Sequence, residues 1–255
     1  MKTPFRKKER APEPEPRDEM PATFSAPEAI VEDVSFDELR AGFTASVSHE
    51  LRTPLARILV LLDSADLPGA DVPALLEQAR AEVQNAGELI DEILFLSELE
   101  SGHEVVSLGL TNALPVLREV ADELGSSSAR AGVALRAEGD GTINLPLRPR
   151  MLRIVAENLA ENAIRYAGHG ATFTLSIDRR GDTNVLTAAD DGIGVFESDL
   201  PRLFERFWRA DAARATRGTG LGLAIVKHVV VAAGGTVVAT GSRGAGLEIA
   251  CSFPA

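Results

Sequence analysis

The chain of 255 residues is short of three things, and each shortage narrows what it can be. It has a single cysteine, Cys251, so no internal disulfide is possible and the sequence fits a reducing compartment. It lacks a basic excess: the formal net charge is -12, which argues against a nucleic-acid partner. It also lacks any apolar run near the ~18 to 20 residues that span a bilayer, so no transmembrane segment is expected. The opening "MKTPFRKKER" is basic, but no apolar segment follows it, so it does not read as a secretory signal. The expected location is the cytoplasm. No internal repeats are found. Cys251 alternates with apolar residues near the C-terminus and reads as a packed strand position.

What is present changes along the chain. Residues 1–34 are rich in Pro, Glu, Lys and Arg ("RKKERAPEPEPRDEMP"), too poor in apolar surface to offset ordering entropy, and are expected to be disordered. Residues 35–100 read as two long helices around the breaker "LPGAD" at 67–71. Phe43, Val47, Leu51, Leu55 and Ile58 form a stripe on the first. Leu75, Leu76, Ala79, Val83, Ala86, Leu89, Ile90, Ile93 and Leu96 keep a helical period on the second. Such a hairpin alone leaves apolar surface wet; pairing two hairpins into a four-helix bundle covers it, which predicts a homodimer. The alternative is that the hairpin packs on the second part of its own chain. Residues 101–255 read as α+β. Strands are expected near 104–108, 132–137, 142–145, 171–179, 183–190, 236–241 and 247–253. Helices are expected near 111–126, 150–167 and 220–233. That pattern predicts helices layered on one face of a mixed sheet.

Four stretches carry candidate chemistry. In "SHELRTPL", His49 lies about 200° around the helix from the apolar stripe, with Arg52 and Thr53 sharing its face. Pro54 lacks an N–H and should bend the helix just beyond it. In "NLAENAIRY", Asn158, Asn162 and Arg165 or Tyr166 recur on one helix face, opposite Leu152, Val155, Leu159 and Ala163. Neutral amides there suit a hydrated cation and phosphate oxygens, since Mg2+ prefers oxygen ligands and keeps waters. In "DDGIGV", a carboxylate at a strand end precedes two glycines, which suits an exocyclic amine on a ring that the backbone approaches closely. In "RGTGLGLAIVKHVVV", Gly218, Gly220 and Gly222 precede an apolar helix, whose N-terminal N–H groups can cradle phosphate. This is neither the dinucleotide fingerprint nor the Walker pattern. Taken singly, each stretch is also compatible with a solvated helix face or an ordinary turn. Between the last two, "FESDLPRLFERFWRADAARATR" has the aromatic anchors and arginines of a lid, with Arg206, Arg209, Arg214 or Arg217 able to reach phosphate.

Taken in order, "SHELRTPL", "NLAENAIRY", "DDGIGV", "LFERFWR" and "GTGLGL" resemble the H, N, G1, F and G2 boxes of bacterial sensor histidine kinases, over about residues 36–255. The resemblance implies a dimerisation and phosphotransfer hairpin followed by a Bergerat-type (GHKL) ATP-binding domain. It implies His49 as phosphoacceptor, with Glu50 orienting or deprotonating it and Thr53 helping to place water in a phosphatase reaction. Asn162 would ligate Mg2+, with Asn158 and Arg165 near the phosphates and Tyr166 near the nucleotide. Asp190 would hold the adenine amine of ATP beside Gly192 and Gly194, and Gly218, Thr219, Gly220, Leu221 and Gly222 would line the triphosphate. The implied partner is the receiver domain of a response regulator. Three positions depart from the family pattern: Arg148 where Asp often caps the N-box helix, Arg217 where glycine is usual, and Asp191 where Asn is common. A degenerate kinase, binding nucleotide or a regulator without turnover, would call for a broken N or G1 box, and neither is broken. His103, His169 and His228 lack the setting of His49.

Overall fold

A computed structural model of the chain describes residues 36–101, 109–210 and 218–255, with side chains from residue 47. The expected disordered tail, the strand at 104–108, His103, Arg214 and Arg217 lie outside the described residues.

Two long helices come first. Helix α1 runs Phe36–Ala65 and α2 runs Val72–Glu100. The start of α2 is fixed by Asp71, whose side chain accepts the Ala74 N–H at 3.2 Å, and by Pro73 in the first turn. Pro54 sits inside α1 without ending it. It withholds the N–H that would have bonded the Glu50 carbonyl, so one backbone acceptor is freed beside His49. The single stripe expected on α1 separates into two. Val47, Leu51, Pro54, Ile58 and Leu61 are half-buried at alternating steps of four and three, the seam of a coiled coil. Leu55, Leu59 and Leu62 stay exposed on an adjacent stripe. Helix α2 repeats the arrangement: Ala79, Leu89 and Leu96 are buried, whereas Leu76, Val83, Ile90 and Leu94 are exposed.

The second part holds short β1 (Thr111–Asn112), α3 (Ala113–Glu123), α4 (Gly125–Ala131), β2 (Ala134–Gly139), short β3 (Asn144–Leu145), α5 (Pro149–Tyr166), β4 (Thr172–Arg180), β5 (Thr183–Asp190), a 3₁₀ segment at Glu197–Arg202, α6 (Gly222–Ala232), β6 (Thr236–Gly241) and β7 (Leu247–Pro254). The helix expected at 111–126 is thus shorter. Its first two residues pair with β3, and a second helix follows it. The main sheet has the order β2-β4-β5-β7-β6; β2 and β4 are parallel and the other pairs antiparallel. Phe173, Leu175, Ile177, Leu186, Ala188, Ile249, Cys251 and Phe253 alternate inward and share one core with Leu152, Val155, Leu159, Val226 and Val229 from α5 and α6. Each such large side chain contributes about 1.5–3 kcal/mol on burial. The other sheet face is lined by small residues such as Thr174, Ser176, Ala250 and Ser252. The fold is therefore a helical hairpin followed by helices on one face of a mixed sheet, as in the Bergerat ATPases.

The hairpin also packs on its own second part, the alternative weighed above, while its second stripe remains open. Leu89, Leu96 and Leu99 belong to the common core, and Leu96 has no exposed surface. The Arg150 guanidinium lies 5.8 Å from the centre of the Phe95 ring. Arg206 pairs with Glu100. Among the described residues no helix is long and apolar enough to cross a membrane.

Candidate functional site

Helix α5 builds the floor. Met151, Leu152, Val155, Ala156, Leu159, Ala160 and Ala163 are buried at helical spacing, so Asn158, Glu161, Asn162, Arg165 and Tyr166 are left on the opposite side, lining a cleft of about 850 Å3. The helix starts without a side-chain cap at Arg148, but Pro149 in its first turn already lacks one of the N–H groups a cap would serve. Asn158 donates its amide to the Ile154 carbonyl at 2.8 Å, and its amide oxygen closes on the start of α6. A Cβ on Gly222 would meet that oxygen at 2.5 Å, so any larger residue there would push the Asn158 side chain aside. The Asn162 side chain, by contrast, engages no hydrogen bond among the described residues and presents a neutral oxygen ligand to the cleft. Arg165 is paired with Glu161 at 2.8 Å.

Strand β5 ends at Asp190, whose carboxylate accepts the Gly192 N–H at 2.9 Å. Burial pushes this carboxyl above the usual range; the backbone donors at Gly192 and Leu247 work against that shift, and the neighbouring Asp191 adds to it. The following loop is pressed between two backbones. A Cβ on Gly192 would lie 2.1 Å from the Ala167 carbonyl oxygen, and one on Gly194 would lie 2.0 Å from that of Ser242. Asp191, the departure from Asn, does not itself line the cleft, though its charge acts on Asp190 there. It accepts the Thr172 N–H at 2.6 Å and so ties this loop to the start of β4.

The third wall is the glycine loop before α6. Gly220 has φ +74 and a carbonyl that accepts the Phe207 N–H at 2.9 Å. Phe207 itself sits at φ +61, a costly conformation for an aromatic residue of about 1–3 kcal/mol, which this bond and the packing of Phe207 on the core hold in place. Thr219 accepts the Leu221 N–H at 3.2 Å and donates its hydroxyl to Glu92 of α2. Leu221 is fully buried and anchors the loop. The aromatic segment contributes Phe196, Phe207 and Trp208 to the cleft, with Arg202 stacked on Trp208 at 5.6 Å and Arg243 on Phe196 at 5.1 Å.

The cleft has one more wall: His49 and Glu50 of α1 line it too. The His49 side chain is 75% exposed, and its Nδ1 lies 3.4 Å from Glu50 Oε1. The Thr53 hydroxyl donates to the His49 carbonyl at 3.4 Å, so Thr53 shares the histidine's surroundings. On its other side His49 borders a separate groove of about 870 Å3 that runs along the hairpin past Arg52, Thr53, Ala56, Arg57 and Gln78. His169 and His228 line neither cavity.

An exposed imidazole facing an amide-, carboxylate- and glycine-lined cleft is matched by comparison with known proteins. The description "His Kinase A (phospho-acceptor) domain" fits residues 39–102, and "Histidine kinase-, DNA gyrase B-, and HSP90-like ATPase" fits residues 148–255. The chain belongs to the sensor histidine kinases. It is 32% identical over 222 residues to the sensor-like histidine kinase SenX3 of Mycobacterium tuberculosis, covering 85% of this chain and 54% of that protein. The chain spans about half the length of the curated relatives it matches. Among solved structures, Acinetobacter baumannii histidine kinase AdeS aligns with a TM-score of 0.67 at 23% identity, over 81% of this chain and 97% of that one. Full-length ShkA in complex with AMPPNP aligns with a TM-score of 0.61 at 26% identity, over 82% of this chain and 45% of that one.

The sequence motifs therefore converge on one cleft, apart from Thr53, which borders the adjoining groove, and Gly192 and Leu221, which support the cleft walls from behind. Sequence reasoning missed Glu92, Glu161, Ile193 and Arg243 as lining residues. Glu161 could have been found from its place between Asn158 and Asn162. Glu92 and Arg243 sit in no motif and reach the cleft only through tertiary packing.

Proposed function

We propose that the chain is an ATP-dependent protein kinase that phosphorylates its own His49 and passes the phosphoryl group to an aspartate on the receiver domain of a response regulator, and that it also helps to remove it there. The observation that carries this reading is the single cleft bounded by His49 and Glu50 on one side and by Asn162, Asp190 and the glycine loop on the other. Nucleotide chemistry is supported by the match to an ATPase family over residues 148–255 and by the likeness to ShkA, whose solved complex contains AMPPNP.

In this reading Asp190 accepts the adenine amine, with Gly192 and Gly194 letting the backbone lie against the ring. Tyr166 flanks the nucleotide, Asn158 and Arg165 stand near the phosphates, and Gly218, Thr219, Gly220 and Gly222 line them at the positive end of α6, held in place by buried Leu221, whose own N–H is taken by Thr219. A divalent cation fits the donor set, because the Asn162 amide is unengaged and supplies a hard, neutral oxygen. Bound Mg2+ would neutralise charge on the phosphates. Phosphoryl transfer asks chiefly for positioning and charge neutralisation. Glu50 accepts the Nδ1 proton of His49 across their 3.4 Å contact, which leaves the Nε2 lone pair to attack. The N–P bond forms as the bond to the β-phosphate oxygen breaks, and ADP leaves. The groove on the far side of His49 is the surface offered to the receiver, with Thr53 placed on it to orient water for dephosphorylation. The open second stripe of the hairpin is the face for a second copy of the chain. The proposed units are the hairpin at 35–100 and the ATP-binding part at 101–255.

The test is phosphate incorporation from γ-labelled ATP. His49→Gln should abolish label while leaving nucleotide binding intact, and wild-type label should be lost in acid and kept in alkali. Label that persists in His49→Gln refutes the assignment.

A further inference from the structure

Glu92 belongs to no motif, yet it reaches into the cleft from α2. It lies between Leu89 and Leu96, both buried, so the helix cannot turn it away without unpacking the core. Its carboxylate accepts the Thr219 hydroxyl, and Thr219 in turn accepts the Leu221 N–H, so one hydrogen-bonded chain runs from the hairpin into the glycine loop. The surroundings are poor for a negative charge. The carboxyl is largely buried, and burial raises its pKa; Glu161 and Glu88 add to the rise, while Thr219 and Arg165 oppose it. Arg165 is in any case already paired with Glu161.

We propose that Glu92 competes with the nucleotide's phosphates for the glycine loop and thereby sets the affinity of the site. The proposal rests on the kinase reading, in which that loop takes the triphosphate. A triphosphate and a carboxylate are anions that seek the same donors, and at short range in a partly dry cleft they repel strongly. Binding of the phosphates releases Glu92 from Thr219 and so loosens one tie between the ATP-binding part and the hairpin. A second tie, Glu100 with Arg206, lies on the same helix about two turns further on and remains. Glu92 is thus a positioning residue: it acts on the reaction through the loop, with no contact to the transferred group.

The test uses the full chain and its one tryptophan, Trp208, which lines the cleft and reports binding by fluorescence. Glu92→Gln keeps an acceptor for Thr219 and removes the charge. It should tighten Mg-ATP binding about five- to tenfold, Mg-ADP by less, and adenosine not at all, since adenosine has no phosphate. Glu92→Ala should show the same order. Equal gain for adenosine would mean a general structural effect and would overturn the proposal. So would unchanged or weaker Mg-ATP binding, the latter making Glu92 a ligand of the cation. If wild type binds no Mg-ATP, the kinase reading falls and this proposal with it; if wild type binds and Glu92→Gln is unaltered, this proposal alone falls.

Discussion

Leu59→Ala is the substitution that best separates the two apolar faces of the hairpin. Leu59 is 62% exposed within one chain, so a partner copy has most of its surface left to cover. Full burial of a leucine side chain contributes about 1.5–3 kcal/mol, and the part still uncovered here scales to about 1–2 kcal/mol, of which alanine would keep roughly a third. The loss is then about 1 kcal/mol per chain. A two-fold dimer contains the residue twice, so the dimer loses about 2 kcal/mol, or about 30-fold in dissociation constant. Any cavity left at the interface adds to this. Leu55, 56% exposed on the same stripe, should behave alike, and the double variant should approach about 1,000-fold. Sedimentation velocity over a dilution series measures the shift. The control is Leu96→Ala, which empties a fully buried position and should destabilise the fold itself by about 2–5 kcal/mol. If Leu59→Ala leaves the dimer constant unchanged, or if it lowers monomer stability as Leu96→Ala does, the division into an inner seam and an outer dimer face is wrong.

Three further outcomes follow from the site. Asp190 has its pKa raised by burial, so between its unfolded and folded values the native state holds the proton more firmly, and stability falls as pH rises through that range. Asp190→Asn should therefore unfold later than wild type at neutral pH, with a flatter acid-side pH profile in thermal melts, yet bind nucleotide about tenfold more weakly because a charge-assisted bond becomes neutral. Gly192→Ala forces a methyl group to within 2.1 Å of the Ala167 carbonyl and should cost about 1–3 kcal/mol, whereas Gly87→Ala, with open space around it inside α2, should stabilise by about 0.5–1 kcal/mol; chemical denaturation compares them. The cleft holding Asn162 is lined by His49 of the same chain, so in heterodimers of tagged His49→Gln and Asn162→Ala chains neither subunit should take up label; label on the Asn162→Ala chain would show transfer between subunits.

The parts of the fold that were readable from sequence are those where one local pattern decides the outcome. The β5 span Thr183–Asp190 and the α6 span Gly222–Ala232 are bounded by glycines and rich in apolar residues, so their limits follow from local chemistry. The α1 stripe was readable as helix but not as two faces, because Leu51 and Leu55 are equally apolar and only the position of α2 decides which of them is covered. The same limit holds at the cleft. Asn158, Asn162, Asp190 and the glycines announce themselves by spacing, since their chemistry needs neighbours on the same helix or loop. Glu92 gives no such signal: it is one acid among many on a polar helix face, and its meaning comes from Thr219, a residue 127 positions away in sequence. Asp191 carries the converse lesson. It stands in the "DDGIGV" motif beside Asp190, yet the Thr172 N–H claims its carboxylate for the fold. Whether a charge belongs to the site or to the scaffold is settled by which backbone donor stands beside it, and that is a property of the packed chain rather than of any stretch of it.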